Sequence, residues 1–128
     1  MPFVSILIVL KIVVTLVLVA LPFLVLPVER LNKATGVSAS STTFYRLYGV
    51  AVLALLIGYA GAFPLLRQGT FPWAVVFMGI VSNTGATFVL IKGGSLACKR
   101  GFVMTYGAIA LALIFCAAFP QIAMQPLL

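Results

Sequence analysis

The sequence predicts an all-α integral membrane protein, with four transmembrane helices in an antiparallel up-down bundle. Three observations predict it. The chain is 64% hydrophobic and 7% charged, with a mean hydropathy of +1.30. It holds four apolar stretches near the roughly 20 residues that a helix needs to cross a hydrocarbon core. The linkers between them are short, so successive helices must turn back on one another. A soluble domain carries roughly 25% charged residues; a chain this poor in charge cannot cover a water-exposed surface, and its solvent is lipid.

The first stretch, residues 4–28, ends near Pro22 and Pro27. It has no basic residues ahead of it and outruns the apolar core of a cleaved signal, about 7–15 residues, so it reads as a retained helix. The second, residues 44–63, stops at Pro64. The third, residues 72–91, opens on Pro72 and Trp73 and closes before Gly93 and Gly94. The fourth, residues 101–119, ends at Pro120. This punctuation suits helices, which take proline in the first turn or beyond the end and glycine after the last turn. The stretches are apolar on every face, whereas barrel strands alternate apolar with polar. Each helix satisfies its own backbone, as the lipid core demands. Residues 1–128 form one transmembrane domain.

Basic residues set the expected orientation. Arg30, Lys33 and Arg46 lie in or just after the linker 29–43, and Lys92, Lys99 and Arg100 lie in 92–100. The linker 65–71 holds only Arg67, and the tail 121–128 is uncharged. Setting Lys11 aside, six basic residues face one. The positive-inside rule then puts both termini on the non-cytoplasmic side of a bacterial inner membrane or an organelle inner membrane.

Composition also excludes chemistries. The chain has no histidine and one acidic residue, Glu29. Histidine-ligated metal or haem and paired-carboxylate mechanisms are therefore closed to it. Glu29 follows a helix end beside Arg30 and Lys33 and reads as a surface ion pair. Cys98 and Cys116 would stand about 27 Å apart along a helix and form neither a disulfide nor a metal motif. Gly93-Gly94 lacks the setting of a phosphate loop. The charge of +7 is scattered over linkers, which points to anionic lipid rather than nucleic acid. No metal, no cofactor and no catalytic residues are expected.

The remaining candidates are polar residues at membrane depth. Lys11 sits inside the first stretch. It either snorkels to the interface or serves as counter-ion to a lipid phosphate, a substrate anion or a partner's carboxylate. Arg30, Lys33, Lys99 and Arg100 join it as candidate contacts for anions or lipid headgroups. Gly79, Ser82, Asn83, Ala86 and Thr87 share one face of the third helix. That face either packs against a neighbour or lines a site. The small residues Ala51, Ala54, Gly58 and Gly61 of the second helix are expected to meet it, with Tyr48 and Tyr59 beside the seam. Tyr45, Tyr48, Trp73 and Tyr106 read as interfacial anchors.

The expected function is that of a non-catalytic accessory or structural subunit of a larger membrane complex. Its partners would be membrane lipids and either other membrane subunits or further copies of itself. Two alternatives fit the same residues. One is a small four-helix transporter or channel. The other is a module binding a lipid or quinone through Asn83, Tyr48 and Tyr59.

Overall fold

A computed structural model describes residues 2–36, 38–92 and 96–126; the side chains of 96–100 and of 102 lie outside that description. The chain is all-α, 83% helical, with no strand among the described residues. Three helices are long and apolar enough to cross a membrane: Phe3–Val25, Thr43–Arg67 and Trp73–Lys92.

The first of these is α1 (Phe3–Thr15), a π-helical stretch (Leu16–Ala20) and α2 (Leu21–Val25) in one rod. Pro22 explains the π-helical turn. Its ring crowds the carbonyl of Leu18, four residues back, and it has no N–H to offer there. The chain widens by one residue, and the Leu21 N–H reaches the carbonyl of Leu16. The helix thus passes Pro22 and ends only at Leu26, which is extended (φ −73°, ψ 153°) as the residue before Pro27 must be. The expected span of 4–28 therefore runs too far by the length of that break.

Beyond Pro27 the expected linker contains a further helix, α3 (Val28–Thr35). Leu31 and Thr35 are buried and Val28 and Asn32 half-buried, while Glu29, Arg30 and Lys33 face outward. This is an amphipathic spacing, short enough to be hidden in a charged segment. Glu29 in the first turn and Lys33 in the last suit the helix dipole. Gly36 ends α3 in the left-handed region (φ 76°), its N–H on the Asn32 carbonyl at 2.9 Å.

The second span joins α4 (Thr43–Ala60) to α5 (Ala62–Arg67) across Gly61. It does not stop at Pro64, as expected from the sequence. Proline breaks the helix four residues upstream, at Ala60, whose carbonyl it would crowd. In α5 it falls in the first turn, where N–H groups have no helical partner in any case. Gly69 (φ 74°) closes α5: its N–H bonds to Leu66 at 3.1 Å and that of Thr70 to Leu65 at 2.9 Å, a Schellman ending.

The third span is α6 (Trp73–Lys92), followed by α7 (Leu96–Ala118) and the short α8 (Pro120–Ala123). The α7 helix starts five residues earlier than the expected 101, and its described apolar part is Val103–Ala118. Pro2 and Pro126 form an isolated bridge, which brings the two chain ends together.

The backbones of α6 and α7 pack closely, and the first span packs on α4. Gly79 of α6 sits at a close approach to α7 and α4: a Cβ there would lie 2.6 Å from Leu113 Cδ1 and 2.8 Å from the Tyr59 hydroxyl, so those side chains would have to shift. The expected small-residue seam on α4 is corrected. Ala51, Ala54 and Gly61 are exposed, and a Cβ on Gly58 would meet Met78 of α6 at 3.3 Å. The inward face of α4 is instead Tyr45, Gly49, Val52, Leu56 and Tyr59. Bulky side chains bury more apolar surface than the alanines do, and the Tyr59 ring spans the gap to α6.

Candidate functional site: a lysine chamber between the helices

Lys11 lies eight residues into α1, about 12 Å along the axis from Phe3. Its side chain turns into the protein and is 5% exposed. The ammonium donates to Asn83 Oδ1 at 2.9 Å. It also stands 5.5 Å from the ring centroids of both Tyr59 and Tyr106, over each face. Three directions around the nitrogen are thus occupied by a carbonyl oxygen and two electron-rich rings. One of its three N–H groups is hydrogen-bonded, and among the described residues no carboxylate pairs with its charge. The sole carboxylate side chain, Glu29, is exposed on α3, beyond the break at Pro27.

Asn83 is 1% exposed. Its Nδ2 donates to the Gly79 carbonyl one turn back at 2.7 Å, which turns Oδ1 toward the lysine. The Ser82 hydroxyl donates to the same carbonyl at 3.3 Å and lies 3.4 Å from the Tyr59 hydroxyl. Thr87 donates to the Asn83 carbonyl at 2.8 Å. Buried hydroxyls and amides in lipid must be satisfied internally, and among the described residues none is left without a partner.

These groups border a small, partly open cavity of about 20 Å³, lined in part by Lys11, Thr15, Tyr48, Tyr59, Ser82 and Tyr106. A space of this size admits about one water molecule. The Tyr48 and Tyr106 hydroxyls approach to 3.5 Å across it. Next to it lies an apolar groove of about 280 Å³ that shares Thr15 and Tyr106 and runs along Val14, Leu18 and Val19.

The structure therefore brings Lys11, which the sequence presents as a separate candidate, to the polar group of Tyr48, Tyr59, Ser82 and Asn83, with Thr87 behind Asn83. It separates Arg30 and Lys33, which are exposed on the outer face of α3. Lys99 and Arg100 have side chains outside the described residues. Two further residues belong to the site. Thr15 follows Lys11 by one helical turn, the signal that would have found it. Tyr106 passes for an interfacial anchor only if the fourth helix starts at 101. With α7 starting at Leu96, Tyr106 stands about 15 Å in.

Tyr45 is also no exposed anchor. It is buried and donates to Asn32 Oδ1 at 2.7 Å, while Asn32 pairs with the backbone of Ala39 in both directions. This cluster pins the end of α3 to α4. Beside it, Arg46 donates to the carbonyls of Phe23 (2.6 Å) and Leu26 (2.9 Å), capping the first span. Among the described residues no group of three or more metal-ligating side chains converges. Comparison with protein-family models, with curated proteins and with solved structures finds no match.

Proposed function

We propose that this chain is a non-catalytic membrane module that binds a polar guest at the Lys11 chamber, as a small transporter or a binding protein does. In this reading α7 is the fourth crossing of an antiparallel bundle. The bridge between Pro2 and Pro126 supports it, because an even number of crossings brings the chain ends to one side. The bias of basic residues toward the other side supports an orientation with both ends outside the cytoplasm.

One observation carries the proposal: a buried ammonium that, among the described residues, has no carboxylate paired with it. An ionisable group inside a membrane is expensive and marks a pathway or a partner. Because Lys11 is enclosed by its own helices, a guest small enough to enter the bundle fits better than a carboxylate on a neighbouring subunit. The test is thermal unfolding of the detergent-purified protein against a broad panel of small anions, carboxylates and lipids. At least one compound is expected to raise the midpoint in the wild type and not in Lys11→Met. If no compound separates the two proteins, the guest-binding reading fails.

A second reading, an accessory subunit or homo-oligomer, is favoured by α6. This helix is the least buried of the three long spans, and it turns Thr84 and Gly85 outward between Val81 and Phe88. A Cβ on Gly85 would meet nothing within 4 Å. A small, hydroxyl-bearing notch on a lipid-facing helix suits the close approach of another helix. The native mass of the protein in mild detergent tests it: a lone monomer would remove this reading.

A further inference from the structure

We propose that the guest of the Lys11 chamber is a single small monovalent anion, a halide or an ion of halide size. This inference rests on the guest-binding reading above and narrows it to one chemical class.

Charge comes first. The chamber holds one ammonium, and the sole carboxylate side chain is exposed on another helix. The rings of Tyr59 and Tyr106 and the Asn83 carbonyl supply only partial negative charge. A monovalent anion neutralises the site, whereas a divalent one would leave a net negative charge in the same low-dielectric space.

Size comes second. The cavity of about 20 Å³ takes one particle near the size of water. A sulfate, a gluconate or a lipid phosphate cannot enter unless the walls move.

The lining supplies the third argument. Hydroxyls of Thr15, Tyr48, Tyr59 and Ser82 belong to the residues around the cavity. The contacts between Tyr48 and Tyr106 (3.5 Å) and between Tyr59 and Ser82 (3.4 Å) are long for O–H···O bonds. The Tyr48 hydroxyl can turn its proton toward an anion, with which it forms a shorter and stronger bond. The neighbouring apolar groove defines the rival guest, an amphiphilic carboxylate with its head at Lys11 and its tail along Val14 and Leu18.

The experiment uses the full chain in detergent. The unfolding midpoint is followed as sodium fluoride, chloride or bromide replaces sodium gluconate at constant ionic strength, and radiochloride binding is measured by equilibrium dialysis. A saturable rise is expected in at least one halide, with one chloride bound per chain. Lys11→Met should abolish both. Tyr48→Phe, at a half-open position where folding should survive, should weaken chloride binding about tenfold, the loss of one charge-assisted hydrogen bond. Equal midpoints in halide and gluconate would overturn the small-anion proposal, as would a halide response that survives in Lys11→Met. A parallel series from acetate to laurate separates the two readings. Stabilisation by the long carboxylates alone, lost in Lys11→Met, keeps the guest site and overturns the halide. Lys11-independence throughout overturns both.

Discussion

Lys11 Nζ and Asn83 Oδ1 meet at 2.9 Å, across 72 positions of sequence and between α1 and α6. This bond ties the first span to the third between two side chains that are almost fully buried. It also fixes the side-chain amide, since the ammonium has donors only and the amide nitrogen is taken by Gly79.

The two residues should respond unequally to truncation. Asn83→Ala leaves a buried ammonium without its carbonyl, a loss of about 3–5 kcal/mol where a buried charge loses its partner. Lys11→Met removes the charge, fills the same volume and leaves one amide oxygen unsatisfied, at a cost of about 1–3 kcal/mol. The double variant Lys11→Met/Asn83→Leu should be more stable than Asn83→Ala alone. Reversible unfolding in mixed micelles measures all three. An Asn83→Ala protein as stable as the wild type would show that the bond contributes nothing.

Gly79 should not tolerate a methyl group. Its Cβ would stand 2.6 Å from Leu113 Cδ1 and 2.8 Å from the Tyr59 hydroxyl. Overpacking of this kind costs about 1–3 kcal/mol. Gly79→Ala is therefore expected to lower the unfolding midpoint, and to lower it less in a Leu113→Ala background, where the crowding Cδ1 is gone. Gly85→Ala, on the open face of the same helix, is the control and should be neutral or stabilising in the isolated chain. Equal effects at the two glycines would contradict this packing.

Arg46 should matter more to folding than a linker charge would. Its guanidinium spans two carbonyls at the end of the first helix, where backbone oxygens have no helical donor. Arg46→Met should destabilise by about 1.5–3 kcal/mol, the range for hydrogen bonds to a charged group. Lys at this position cannot reproduce the fork, so Arg46→Lys should recover less than half of the loss. Arg30→Met, on the exposed face of α3, should fall within about 0.5 kcal/mol of the wild type.

The helical class and the polar face of α6 are legible in the sequence because both depend on local pattern. Apolar runs announce spans, and Gly79, Ser82, Asn83 and Thr87 recur at helical spacing. The seam is not legible, because small residues on α4 carry no mark of which neighbour they face. Tyr59 settles that, since its ring reaches Lys11 only if the opposite side of α4 turns outward. Proline is a weaker stop than its place in the sequence implies. Pro22 is absorbed by a wider turn and Pro64 by the first turn of a new helix, outcomes set by whether the residues beyond each proline can carry a helix onward. The link between Lys11 and Tyr106 is hidden by the start of one helix: from 101, the ring would lie a turn from the lipid surface.

Orientation can be tested independently of function. The native Cys98 and Cys116 are first replaced by Ser and Ala to remove background labelling. A single cysteine at Gln125 should then react with a membrane-impermeant maleimide in intact cells, because the tail is expected outside. A cysteine at Ser40, just after α3, should react only once the membrane is opened. The two positions also count the crossings. Pro2 and Pro126 lie together, so four spans put the ends on one side, whereas three spans would put the tail beside Ser40. Labelling of Gln125→Cys only after permeabilisation, with Ser40→Cys labelled in intact cells, would invert the bundle. Labelling of both from the same side would remove α7 as a crossing, and with it the wall that carries Tyr106 into the Lys11 chamber.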